Sequence, residues 1–432
     1  MRIYTEDNLP WSNTIIEKPE TDLVKLLITT DYYGTNSPSS ALLGTLAGEL
    51  LLAGAGKYNR SEFLHALELL GTQIKVMAGG GRITLSLETS TNKLPSAWSL
   101  FHLMLTKPQA KTNELLRCRR TLQNRLEARR EEARPIAHRN LTAALFPQSS
   151  YLYQFSIPEL LSVLPKITYR DTKNILPLVL SLPWTVTVAG NKKSNQFLTK
   201  ALLDLKSQTA TKPIVAAEDS RPKEVIRRQV VTELVPGKQN IEISFGASLP
   251  LTLNDEEFPA FLFGLNVLAK WGGFSGRLMK TVREKEGLTY GIYAQLLGAS
   301  TTRAGYWRIM TFFAPSDAKQ GITSTLREID NLATRGITSQ EHQRFRTILQ
   351  TDWLLTGDSL FETATSVHTA STLGLPYPKQ EALQEKLLSV SKSDVNRVLK
   401  KYLAADKLVI STAGSITSVR QELSSFNQAK RR

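Results

Sequence analysis

The stretch Gly272-Gly273-Phe274-Ser275-Gly276-Arg277-Leu278, running on through Val282-Arg283-Glu284-Lys285-Glu286-Gly287-Leu288-Thr289-Tyr290, decides how this chain is read. Its glycines Gly272, Gly273 and Gly276 leave a backbone that a ligand can approach closely, because no Cβ intervenes. Leu278 and Val282 stand four residues apart and so share one face of a short helix. Gly287 supplies the stop of that helix. The residues after it read as a strand that carries Tyr290, seven positions beyond Arg283. Each residue alone has a plain reading: Arg283 as a surface helix residue, Tyr290 as a half-buried strand aromatic. Their joint spacing is what points to a site.

Outward from this stretch, the chain contains one unit twice. Leu160-Leu161-Ser162-Val163, a polar helix and Trp184-Thr185-Val186-Thr187-Val188-Ala189-Gly190 close the first half. Leu387-Leu388-Ser389-Val390, a polar helix and Leu408-Val409-Ile410-Ser411-Thr412-Ala413-Gly414 close the second. Ser162 and Ser389 are 227 apart, and Gly190 and Gly414 are 224 apart. This predicts two homologous domains, 1–206 and 225–432, of a size that domains favour. The polar, Pro-bearing segment 207–224 between them reads as a linker.

Within each half, strands and helices are mixed rather than strictly alternating. Ile241 to Phe245 and Arg82 to Glu88 alternate with period two and should be half-buried strands. Val225 to Leu234 reads as a strand, and Gly79-Gly80-Gly81 as a turn. Ser40 to Ala53 carries Leu42, Leu43, Leu46, Leu50 and Leu51 on one stripe, a buried helix face. Asn113 to Leu141 reads as a long charged helix interrupted near Pro135. The expected class is α+β: two homologous domains, each a mostly antiparallel sheet covered by helices.

Composition sets bounds on function. The chain has 432 residues, 41% of them hydrophobic and 22% charged, which fits a folded protein and not a disordered one. One cysteine, Cys118, excludes an internal disulfide or a cysteine-built metal knuckle. It lies in Arg117-Cys118-Arg119-Arg120, whose cations could lower its pKa, but no His neighbours it to make a nucleophile. No run is long and apolar enough to span a membrane. Met1 to Trp11 lacks the apolar core of a signal peptide, so the sequence as given reads as cytoplasmic, or periplasmic if a signal was removed. The net charge of +15 reads first as a solvated surface and next as a face for an acidic partner or acidic peptides. Its Lys and Arg are scattered and lack interleaved aromatics, which argues against nucleic acid.

The 272–290 segment resembles the pitrilysin-like zinc peptidases, whose metal motif is His-x-x-Glu-His. More narrowly, it is similar to the short, two-domain class that includes mitochondrial processing peptidase subunits and bacterial heterodimeric peptidases. The whole chain fits that layout, a half clamshell, but the specific motif is confined to 272–290. The resemblance implies that Arg283 and Tyr290 bind substrate and stabilise a tetrahedral intermediate, and that Gly272, Gly273 and Gly276 grip the substrate backbone. A phenol O–H aimed at the developing oxyanion is the kind of donor that lowers the barrier, and Arg offers a permanently charged fork.

The metal half is missing. Leu46-Ala47-Gly48-Glu49-Leu50 occupies the place of His-x-x-Glu-His, with Glu49 kept and Leu46 and Leu50 at the ligand positions. Leucine has no lone pair for Zn²⁺. Glu127 stands where the family has its third ligand, and reads here as a solvated helix charge paired with a neighbour such as Arg130. The histidines, His65, His102, His138, His342 and His368, show no i, i+4 pair. The resemblance therefore implies a subunit that binds no cofactor itself, is inactive alone, and works with a homologous zinc-binding partner on unfolded peptides. The alternative is an inert scaffold or chaperone-like member of the same family.

Overall fold

The computed structural model describes residues 1–31, 36–79, 81–109, 111–207, 222–355, 359–415 and 420–427. The expected linker at 207–224 therefore falls almost entirely outside the described residues. In the first half the elements run β1 (Arg2–Tyr4), β2 (Ser12–Glu17), β3 (Leu23–Asp31), α1 (Pro38–Leu51), β4 (Gly54–Ala55), β5 (Tyr58–Asn59), α2 (Arg60–Leu69), β6 (Gln73–Gly79), β7 (Arg82–Ser90), α3 (Leu94–Thr106), α4 (Thr112–Arg129), α5 (Ala133–Leu145), α6 (Ile157–Val163), α7 (Tyr169–Ser181), β8 (Thr185–Gly190) and α8 (Lys192–Ser207). The second half runs β9 (Gln229–Leu234), β10 (Ile241–Leu249), α9 (Phe258–Leu268), a π-helix (Met279–Lys285), β11 (Ile292–Leu297), β12 (Gly305–Phe313), α10 (Ala318–Arg335), α11 (Ser339–Leu355), α12 (Leu360–Thr372), α13 (Tyr377–Ser389), α14 (Lys392–Tyr402), β13 (Val409–Gly414) and α15 (Arg420–Ser424).

The sheets carry the repeat. One has the order β1-β2-β8-β3-β7-β6, the other β9-β13-β10-β12-β11. Without β1 the two orders correspond strand for strand. In both, the parallel pair sits on the same side, β2 with β8 and β9 with β13, and the other pairings are antiparallel. The expected α+β class with mostly antiparallel sheets is what the chain forms. The strand β9 is shorter than expected, because pairing to β13 begins only at Gln229.

Two compact units result, and they do not follow the sequence halves. The first comprises Met1–Arg129, Ile157–Glu218 and Leu355–Glu381, the second Arg130–Ser156, Asp219–Leu354 and Ala382–Arg432. Thus α5, from the first half, packs on β10, β13 and β9, while α12, from the second half, packs on β8, β2 and β3. The helices begin at 133 and 360, again 227 apart. The long helix expected over 113–141 breaks at the point where the chain leaves the first unit. Its break lies at 130–132, ahead of Pro135, which the first turn of α5 tolerates because no intrahelical bond is lost there.

In the first unit, Ile83, Leu85 and Leu87 of β7 and Val24, Leu26 and Ile28 of β3 join the buried stripe of α1 in one core. The stripe starts cleanly because Ser37 caps α1. Its Oγ accepts from Ser40 N at 3.1 Å, Ser40 Oγ accepts from Ser37 N at 2.9 Å, and Pro38 takes the first helical position. In the second unit the core is aromatic: Phe245, Phe258, Phe261, Phe263, Trp307 and Phe313 are fully buried. Each such side chain contributes roughly 1.5–3 kcal/mol on burial, enough to hold the loop that α9 leads into.

Candidate functional site

The glycine-rich segment leaves α9 and is fastened at its ends. Ala294 N donates to Ala269 O at 3.1 Å and Lys270 N to Ser275 O at 3.2 Å, so the loop closes on itself. Gly276 has φ +121, and a Cβ there would lie 2.8 Å from Ala269 Cα, so only glycine fits. Gly272 also has a positive φ, +69, but open space around it; Gly273 has neither constraint. Arg277 is a fastener: Nε and Nη2 reach both carboxylate oxygens of Glu341 at 2.6 and 2.8 Å, and Nη2 also donates to Gly336 O at 2.7 Å. Leu278 and Val282 are buried as their spacing predicts. The helix they form is wound as a π-helix, with Glu286 N donating to Thr281 O at 3.0 Å. Such turns recur at functional sites.

Arg283 projects from this helix over the ring of Phe274, with its guanidinium carbon 4.6 Å from the centroid. Among the described residues it forms no ion pair. Its neighbour Glu286 is spent on Arg327 and Ser324, each at 2.5 Å. Phe274 is 69% exposed, and Trp271, also exposed, meets Tyr293 at 5.8 Å between centroids. Phe274 escaped the sequence reading, although an aromatic residue inside a glycine loop has no core to fill there and is the signal that marks it.

Tyr290 is not in a strand as expected. β11 starts only at Ile292, and Tyr290 is 84% exposed. Gly287 ends the helix at φ +65. Thr289, buried, then accepts a hydrogen bond from Gly291 N at 3.3 Å, while Thr311 Oγ1 donates to Gly291 O at 3.0 Å. Both neighbours of Tyr290 are thereby drawn inward, and the phenol turns out to solvent.

The helix that carries Leu46, Glu49 and Leu50, α1, lies in the first unit. Leu46 and Leu50 are 0% exposed and belong to its core. Glu49 is half-buried and held by Arg125 Nη2 of α4 at 3.2 Å. Glu127 accepts from Gln123 Nε2 at 2.8 Å on the exposed side of α4, in place of the expected pairing with Arg130. The donors do not fit zinc: two aliphatic side chains, one neutralised carboxylate and one solvated carboxylate. No three His, Cys, Asp or Glu side chains among the described residues come together to hold a metal ion.

Cys118 is buried, and burial pushes its thiol up from the ordinary value despite Arg117, so its cationic sequence neighbours do not activate it. Two histidines are structural. On α12, His368 lies between Thr29 Oγ1 at 2.7 Å and Thr187 Oγ1 at 2.9 Å. On α5, His138 bonds Tyr306 Oη at 2.7 Å. Burial pushes both down to about 3, with Arg82 and Lys25 adding to the effect on His368 and Arg308 on His138.

Residues 185–349 match the family model described as "Peptidase M16 inactive domain". The resemblance to the pitrilysin-like peptidases holds. The same fold is found in a peptidase M16 inactive domain from Pseudomonas fluorescens (18% identity, TM-score 0.81), covering 96% of this chain and 98% of that one. A protease from Helicobacter pylori has 14% identity and a TM-score of 0.79, covering 95% and 99% of the two chains. The periplasmic protease PqqL from Escherichia coli has 14% identity and a TM-score of 0.71; 95% of this chain matches 46% of that one. No curated protein matches the sequence significantly. Among the described residues, no helix is long and apolar enough to cross a membrane.

Proposed function

We propose that this chain is the non-metal-binding subunit of a two-chain zinc endopeptidase acting on unfolded peptides. The observation that carries the reading is the state of Arg283 and Tyr290. The first is a cation seated on Phe274 with no ion-pair partner among the described residues; the second is a phenol turned to solvent. Neither has a structural task that accounts for its position. In a complex, Arg283 would hold a substrate carbonyl or carboxylate, and Tyr290 Oη would donate to the oxygen that becomes negative as the peptide carbonyl is attacked. The backbone around Gly272 and Gly273 has room to lie along an extended peptide. The partner, a homologous chain with His-x-x-Glu-His, would supply the metal that activates the attacking water. The net charge of +15 favours an acidic partner or acidic peptides.

The test is reconstitution. The pure chain is assayed for zinc content and for cleavage of an unfolded protein, then mixed with a homologous His-x-x-Glu-His chain from the same organism. Activity in the mixture alone is the expected result, and zinc-dependent cleavage by the pure chain overturns the reading. A scaffold role predicts that activity in the mixture is indifferent to Arg283→Gln.

A further inference from the structure

Arg308 occupies the middle of β12, paired across the sheet with Gly246 of β10 and Gln295 of β11. It is 7% exposed. Its Nη2 donates to Gln295 Oε1 at 2.9 Å and lies 3.2 Å from Met310 Sδ, and its Nε is buried without any hydrogen-bond partner. Among the described residues no carboxylate lies within ion-pair distance of it. Glu242, on the strand beside it, is taken by Arg134 at 3.0 and 3.3 Å. His138, which Arg308 helps to keep neutral, is bonded to Tyr306 and offers no charge. Arg277 and Arg139 of the same unit, by contrast, are paired with Glu341 and Glu233. Arginine does not shed its proton in proteins, so a guanidinium here stays charged. A buried charge without a counter-charge is a heavy burden on stability. An uncompensated buried group calls for an explanation, and a ligand that supplies the missing counter-charge is one.

We propose that Arg308 is a receptor for a carboxylate brought by a bound peptide. Its Nε–H has no partner and lies beside Nη2, the edge by which a guanidinium meets the two oxygens of that group, in surroundings of low polarity where such bonds are strong. The peptide as the source rests on the function proposed above; the anion site itself does not. The carboxylate is either a side chain of Asp or Glu or the chain terminus, chemically the same ligand from two sources.

Melting temperatures of the wild type, Arg308→Met, Arg308→Gln and Arg308→Lys are compared in sodium chloride and in sodium acetate at equal ionic strength. An unfilled site predicts that Arg308→Met melts at or above the wild type in chloride, since it removes an unpaired charge at similar volume. It also predicts that acetate raises the wild type but not the Met or Gln variant. A structural arginine predicts the reverse, with the Met and Gln variants both melting well below the wild type and acetate without effect; that outcome overturns the proposal.

Binding is then measured with three forms of one unstructured labelled peptide: with a free C-terminus, with an amidated C-terminus, and with its Asp and Glu replaced by Asn and Gln. Loss of one carboxylate class should weaken binding to the wild type about ten- to hundred-fold. It should change binding to Arg308→Met little, and the form that loses affinity names the source. Equal affinity of wild type and Arg308→Met for all three overturns the peptide carboxylate role. If no peptide binds but the acetate response stands, the peptidase-subunit reading fails and the carboxylate site remains.

Discussion

The helix segment 46–50 and the loop segment 272–290 use their side chains in opposite ways. In the first, packing has used every group: Leu46 and Leu50 fill a core, and Glu49 is neutralised by Arg125. In the second, packing has used only the frame. Arg277, Leu278, Val282 and Thr289 fix the loop, while Phe274, Arg283 and Tyr290 are left unspent. Side chains taken into a core are fixed by packing, whereas exposed polar and aromatic side chains on a fastened loop stay available to a ligand.

The contrast can be broken most sharply at Leu50. Leu50→Ala should cost about 2–5 kcal/mol of stability, read as a lower denaturation midpoint, because a fully buried side chain leaves a cavity. A loss under about 0.5 kcal/mol would mean that α1 is not packed as a core helix. At Tyr290 the expectation inverts. Tyr290→Phe should leave the midpoint unchanged yet lower kcat of the assembled complex by about 10²–10³, equivalent to about 2.7–4 kcal/mol. Unchanged kcat with intact assembly would favour an inert scaffold.

A third measurement asks whether the two units are as equivalent as their topology. Each buries one histidine carried by the helix it receives from the other half of the chain. Their folded-state values, about 3, lie below the ordinary 6.5. The unfolded chain therefore binds more protons between these values, and stability must fall as pH drops from about 6.5 towards 3. From pH 7 to pH 5 each histidine should cost about 2 kcal/mol. Urea melts of His368→Gln and His138→Gln should show equal reductions in that slope; a reduction in one variant only would make the units inequivalent. The smallest effect is expected at Phe274. Phe274→Ala should raise the Kd for an unfolded peptide only a few-fold, the ~0.5–1 kcal/mol of an exposed cation–π contact, with no change in melting. Phe274→Tyr should restore it.

Much of this was legible before any fold was seen. The period-two runs in β7 and β10, the stripe of α1 and the doubled strand that ends in Ala-Gly all lie where their patterns put them, because local periodicity reports which side of an element is apolar. The loop motif was legible because glycines and a helix face are local features. The place of Tyr290 was not: its exposure comes from Thr311, 21 residues downstream in a different strand, pinning Gly291. The burial of Cys118 and the pairing of Glu49 likewise depend on contacts between helices distant in sequence.

What the sequence by itself determined is the repeat, the mixed helix and sheet class, the absence of metal ligands at 46 and 50, and the motif at 272–290. Each is written in residue type and spacing over a short window. Only the tertiary structure decided that α5 and α12 each serve the sheet of the other half. An apolar stripe demands burial but does not name the surface that buries it. Only the tertiary structure, too, buried Arg308 in its sheet with no carboxylate within ion-pair distance among the described residues, since whether a charge finds its partner depends on which strands become neighbours, and that is settled when the sheets assemble.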